Sequence, residues 1–314
     1  MKNFFVLTLM GVLLFSCKPY ENTKIRKNQI TYEDFRSDQR LYPTDDGLLK
    51  YIDKGKGPAI VLLHGVPTSG WLYRKMIDPL VANGFRVIVP DMLGYGSSDS
   101  PEGFEIYNAE NHAKRLLELM QALGIDTWSH VMHDAGGLWT WELMKQAPDK
   151  IEKLIVLNTI IYDDGFYPPV RMKPGGLAKT AMWGYRNGVT TNTLLKSLFN
   201  QGLKENVLNS LDVEGYKTPL LEGKTHAMYY FYSQTCNELP DYSEVFENVN
   251  MPVTVIWGIH DTMLQWPPQQ VRAANALKVK NEDIHFIDEK HFLQETKAKE
   301  ITYKIVEFLY KKEE

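Results

Sequence analysis

"SHVMHDAGGLW", residues 129–139, decides the fold. His130-Val131-Met132 is a short apolar run of strand character, and from Gly137 to Gln146 the apolar positions recur at helical spacing. Asp134 therefore stands in a sharp turn at the carboxyl end of a strand, with the small residues Ala135, Gly136 and Gly137 behind it. An aspartate there has an ordinary explanation as the N-cap of the helix that follows. It also has a chemical one, because ligands of an open α/β sheet gather at that end of its strands.

The same punctuation continues along the chain. Apolar, β-branched runs bounded by turn residues lie at 59–63, 86–89, 153–157, 252–257 and 283–287, and their unbroken apolar character predicts strands buried on both faces of a mostly parallel sheet. Amphipathic stretches at 109–123, 137–146, 268–277 and 297–310 supply helices between them. This is a doubly wound α/β pattern. It breaks from about 161 to 242, where eight of the chain's seventeen tyrosines sit in helical and loop material. The expected organisation is a core at 30–160 and 243–314, with a helical cap at 161–242 inserted after the sixth strand.

The first 17 residues, MKNFFVLTLMGVLLFSC, carry Lys2 and then an unbroken apolar run over 4–15. That run is too short to cross a bilayer as a helix and has the length of a signal-peptide core. Leu14-Phe15-Ser16-Cys17 resembles a bacterial lipobox, which implies cleavage before Cys17 and lipidation of its thiol. Residues 18–29 are polar and unpatterned, as a tether would be. The expectation is an exported bacterial lipoprotein, held at a membrane through Cys17 on the periplasmic or outer-membrane side. With Cys17 lipidated, Cys236 is left single, and the domain must hold together without a disulfide.

The net charge of −4 supplies no basic face for nucleic acid. There is no G-x-G-x-x-G after a strand and no Walker loop, and no cofactor is implied. His130 and His133 are three apart on a strand, so they face opposite sides and cannot share a metal.

Two further segments complete the pattern. Upstream, Val61-Leu62-Leu63 runs into His64-Gly65-Val66-Pro67-Thr68; downstream, Trp257-Gly258-Ile259-His260-Asp261 follows one strand, and the last strand leads to His291-Phe292-Leu293-Gln294-Glu295. The chain order is acid, acid, histidine, the order of an α/β-hydrolase triad. With "LLHGVPTSGWLYRKMIDPLVANGFRVIVPDMLGYGSSDSP" (62–101), "MHDAGG", "WGIHD" and "HFLQE", about 200 residues of core resemble the haloalkane dehalogenase and epoxide hydrolase branch of the α/β-hydrolase superfamily. The likeness fades in the cap.

That resemblance implies Asp134 as nucleophile, His291 as base, Asp261 as the acid orienting it, and the backbone N–H groups of Val66 and Ala135 as an oxyanion hole. Met132 departs from the glycine that opens the G-x-nucleophile-x-G motif. Asn158, at the end of the sixth strand, is not an acid, so the alternative acid position of some relatives is closed. A carboxylate is already anionic at neutral pH and displaces a leaving group at saturated carbon directly, where a serine needs a base first. An alkyl ester results, which His291-activated water would hydrolyse.

The leaving group divides the expectations. Dehalogenases hold halide with a Trp just after the nucleophile and a second donor elsewhere; here Ala135 follows Asp134, Val66 occupies the loop position where some carry Asn, and Trp183 in the cap is the remaining indole candidate. Trp139 and Trp141 fall on the helix after the turn, as packing residues. Epoxide hydrolases use two cap tyrosines as proton donors, and Tyr185 and Tyr230 stand at similar distances along this chain, with Tyr229 and Tyr232 competing for the second place. The leading expectation is an epoxide hydrolase acting on a small apolar organic substrate. Haloalkane dehalogenase is the alternative, and a lipid-anchored binding protein that kept the fold without turnover is the third.

Overall fold

Six of the eight strands are the runs read from periodicity. The computed structural model describes residues 24–27 and 29–311; Cys17 and the signal-like leader lie outside the described residues. β1 (Arg40–Thr44), β2 (Gly47–Lys54), β3 (Ala59–Leu63), β4 (Arg86–Asp91), β5 (Trp128–Asp134), β6 (Ile151–Thr159), β7 (Val253–Gly258) and β8 (Ile284–Ile287) form one sheet in the order 1-2-4-3-5-6-7-8. β3 to β8 pair in parallel. Every residue of β5 is buried, as a run without polar alternation requires.

β1 and β2 have no counterpart among the runs read from the sequence. They form an antiparallel hairpin on the sheet's edge, joined by the two-residue turn Asp45-Asp46. Their polar faces look to solvent, so the apolar signal that marks the inner strands is diluted there.

Helices pack in pairs, Arg74–Ala82 with Leu293–Tyr310 and Ala109–Ala122 with Gly136–Gln146. After β6 the chain leaves the sheet and builds a cap from helices Gly176–Arg186, Thr191–Gly202, Ser210–Leu221 and His226–Tyr230, the last continuing as a π-helical turn over Phe231–Thr235. It rejoins the sheet at β7.

A buried ionic cluster ties the cap to the core. Arg74 donates to Glu295 Oε1 at 2.6 Å and Oε2 at 2.7 Å, and reaches Asp212 of the cap at 2.6 Å. Lys75 adds 2.6 Å to Glu295, Tyr216 donates to the same carboxylate, and the Trp71 indole donates to the Asp212 carbonyl at 2.9 Å. An ion buried without a partner would cost several kcal/mol, and here each meets its opposite. Arg26 and Gln29 also reach Asp212, at 3.0 Å each. The end of the segment expected to be a tether, at Arg26 and Gln29, thus reaches a cap helix. No helix among the described residues is long and apolar enough to cross a membrane.

Candidate active site

The turn after β5 is built by close approach. Asp134 has φ +54°, a left-handed conformation that costs a non-glycine residue of order 1 kcal/mol or more. A Cβ on Gly65 would lie 2.3 Å from Asp134 Oδ1, and one on Gly137 would lie 2.2 Å from Thr159 Oγ1, so only glycine fits at either place. The helix begins at Gly136 with Ala135 as its N-cap and no side-chain cap bond. Asp134 is thus not an N-cap; its carboxylate points away, into the space between core and cap.

There it meets three groups. Val66 N–H donates to Oδ1 at 2.7 Å, the Ala135 N–H faces the same carboxylate, and His291 Nε2 stands 3.6 Å from Oδ2. Burial raises the Asp134 pKa; His291 and the two backbone donors oppose the rise without cancelling it. His291 comes from the loop after β8. Its Nδ1 bonds Asp261 Oδ2 at 2.8 Å. Burial works against charge on the imidazole, but Asp261 first and Asp134 after it outweigh that, and its pKa lies above the ordinary value of 6.5.

Asp261 is itself held on both oxygens. Oδ1 accepts from the Met263 and Leu264 N–H groups at 2.8 and 3.1 Å, and Oδ2 accepts from Asn158 Nδ2 at 2.8 Å. Asn158 is fixed in turn by the Gly258 N–H at 2.7 Å. The arrangement can attack with Asp134, stabilise a developing oxyanion with two N–H groups, and activate a water with a histidine whose charge is shared.

Above Asp134 is a small, mostly apolar pocket lined by Phe166, Leu198, Phe231, Leu264 and Phe292, with Tyr232 and His291 also in its lining. Its volume is about 20 Å³, room for a water and little more. Tyr232 is buried near Tyr185 and Asp134, and its phenol is held well above the usual range, chiefly by burial. Tyr185 is raised by burial too, and neither hydroxyl has a hydrogen-bond partner among the described residues.

The other cap candidates face elsewhere. Tyr230 packs its ring on Phe104 at 4.7 Å, on the side toward Glu105, and Tyr229 uses its hydroxyl to accept the Gly175 N–H at 3.0 Å. Trp183 is 55 % exposed on the outer face of the cap, remote from Asp134's pocket. Spacing along the chain could not separate Tyr230 from Tyr232. The π-helical turn that begins at Phe231 changes the angular step between them, a feature common near functional sites.

The remaining residues support the frame. His64 accepts from Met92 N–H at 3.0 Å, and Asp91 accepts from Gly70 and Ser97 N–H at 2.7 Å each. His130 bonds Trp128 and Thr140, while His133 bonds the His291 carbonyl at 3.0 Å, so the two imidazoles serve opposite sides of β5. Trp139 packs on His64 and His112, and the Trp141 indole donates to Ile160 O at 2.9 Å.

Residues 58–298 match the family model of the alpha/beta hydrolase fold. The chain belongs to that family. This α/β-hydrolase is 29% identical over 270 residues to the AB hydrolase superfamily protein YfhM of Bacillus subtilis, covering 81% of this chain and 90% of that protein. It is 35% identical to a haloalkane dehalogenase of Mycolicibacterium paratuberculosis over 127 residues, which is 40% of each chain. Bifunctional epoxide hydrolase 2 of Sus scrofa is 35% identical over 111 residues, 35% of this hydrolase and 20% of that protein. Among solved structures, the epoxide hydrolase VrEH1 of Vigna radiata shares the fold at TM-score 0.70 and 21% identity, over 86% of this chain and 97% of its own.

Proposed function

We propose that this α/β-hydrolase opens epoxides through a covalent ester on Asp134. The observation that carries the reading is that Tyr232 shares with Asp134 and His291 the lining of one small, mostly apolar pocket. A carboxylate oxygen of Asp134 attacks an epoxide carbon, the C–O bond breaks, and the oxygen leaving as alkoxide takes a proton from Tyr232 or Tyr185. An alkoxide is a poor leaving group, and a donor worth 10²- to 10⁴-fold is what that step requires. His291 then removes a proton from water, the resulting hydroxide adds to the ester carbonyl, and the oxyanion develops at the oxygen facing Val66 and Ala135 N–H. Collapse breaks the bond from the carbonyl carbon to the alkyl oxygen, the departing alkoxide takes the proton of the added hydroxyl to give the diol, Asp134 is restored as carboxylate, and the proton on His291 returns to the tyrosinate.

Intact mass spectrometry of the chain carrying His291→Ala, after incubation with epoxides and, separately, bromoalkanes, tests this. Without its base the protein should keep the ester. An adduct equal to the whole epoxide on the peptide holding Asp134 is the expected result. A bromoalkane adduct less hydrogen bromide would instead favour haloalkane dehalogenation, the reading supported by the likeness to the mycobacterial enzyme. No adduct from either panel would favour a binding protein of the same fold.

We propose further that the protein is exported as a lipoprotein attached at Cys17. Incorporation of labelled palmitate by the chain, abolished by Cys17→Ser, checks it.

A further inference from the structure

The even overall charge conceals a strong segregation. From Gly165 to Lys204 the chain has no aspartate or glutamate, while it carries Arg171, Lys173, Lys179, Arg186, Lys196 and Lys204 in a protein whose net charge is −4. This acid-free block forms the first half of the cap. Its inner side supplies Phe166 and Leu198 to the pocket over Asp134.

Its outer side is unusually apolar. In helix Gly176–Arg186 the residues Ala178 and Met182 are buried, and Leu177, 73 % exposed, and Trp183, 55 % exposed, stand on the two flanks of the outward side; Val189, 82 % exposed, follows the helix. Isolated exposed apolar residues need no explanation, but three large ones on one helix and its following turn, flanked by cations, have the composition of a membrane-surface segment. Lys173, Lys179 and Arg186 are all exposed, and none has an ion-pair partner among the described residues. Arg171 differs, being engaged with Asp163. Lys179 and Arg186 also line the groove beside the helix, together with Glu102 and His226.

We propose that this outer cap face docks on the surface of an anionic phospholipid bilayer, with Leu177, Trp183 and Val189 entering the headgroup region and Lys173, Lys179 and Arg186 meeting lipid phosphates. Charge complementarity selects the occupant: a neutral apolar partner would leave three unpaired cations at the contact, whereas a negative bilayer surface attracts each of them. Indoles also favour the interface, where the ring meets chain and headgroup together. The proposal depends neither on lipidation of Cys17 nor on the reaction at Asp134. It places the part of the cap that lines the pocket against the phase where apolar substrates concentrate.

Trp183 makes the test specific. The other six tryptophans are buried, so quenching of tryptophan fluorescence by bromine-labelled acyl chains reads this position. The full chain is mixed with vesicles of phosphatidylcholine containing phosphatidylglycerol, or of phosphatidylcholine alone. Quenching on the anionic vesicles, weakened by added salt and absent in Trp183→Phe, is expected. Lys173→Glu with Lys179→Glu and Arg186→Glu should shift the lipid concentration for half-quenching upward by a hundredfold or more, at roughly fivefold per cation removed; circular dichroism verifies that this exposed triple variant is folded. Equal quenching on neutral vesicles, or an unchanged triple variant, would overturn the proposal. So would protection of Trp183 by self-association without lipid, seen by sedimentation, which would make the face a contact between copies.

Discussion

Asn158 and His291 converge on one atom: Asn158 Nδ2 and His291 Nδ1 each lie 2.8 Å from Asp261 Oδ2. Asp261 thereby receives the imidazole in one fixed orientation, with its other oxygen occupied by backbone N–H groups. Asn158 is not among the residues lining the pocket over Asp134 and acts through Asp261. Asn158→Leu should slow hydrolysis of the Asp134 ester about 10- to 100-fold, the worth of one hydrogen bond to a charged group, while leaving ester formation nearly unchanged. Single-turnover kinetics that resolve the two steps check the split.

The histidine predicts a pH dependence with a definite sign. His291 acts as base only when neutral, and its neighbours hold its pKa above 6.5. Ester hydrolysis should therefore rise with pH as the imidazole loses its proton, and ester should accumulate on the acid side, with the midpoint lower than the free protein's because esterified Asp134 no longer adds its charge. Rapid quenching with mass analysis across pH follows the accumulated species. Asp261→Asn removes the first charge that raises this pKa and should move the midpoint downward as it lowers the rate.

The cap tyrosines make a direct contrast. Tyr232→Phe should reduce alkylation of Asp134 by an epoxide by about 10²-fold or more, as loss of a positioned proton donor does. Tyr230→Phe, with its ring on Phe104 away from the pocket, should change it little. The rate of adduct formation in the His291→Ala background measures this step alone.

Stability in acid should report the buried cluster between cap and core. Burial alone would raise the Glu295 pKa, but Arg74 and then Lys75 outweigh it and bring it from 4.5 to about 2. A depressed folded-state pKa gives stability that is complete above 4.5 and is lost as pH falls toward 2. That loss is on the order of 3 kcal/mol. Denaturant titrations across this window should show the decline, and Arg74→Met, which takes from buried Glu295 its two-pronged partner and leaves it Lys75 and the Tyr216 hydroxyl, should already be destabilised at neutral pH by about 3–5 kcal/mol.

The sequence by itself determined the frame and the place in it of Asp134, Asp261 and His291. Apolar runs announced β3 to β8, although β8, at the sheet's edge, is only partly buried with Phe286 49 % exposed, and the order of Asp134, Asp261 and His291 placed three side chains at strand ends that any parallel sheet brings to one edge. Local periodicity suffices there, because each strand's burial and direction follow from its own residues. Tertiary structure alone decided the rest. Which tyrosine faces Asp134 depends on a π-helical turn that shifts side chains from one face of a helix to another, and no apolar repeat records it. The Arg74–Glu295–Asp212 cluster joins residues up to 221 positions apart, each of which reads singly as an ordinary solvated charge. Burying them together is a property of how the cap settles on the core, a long-range packing that sequence spacing does not carry.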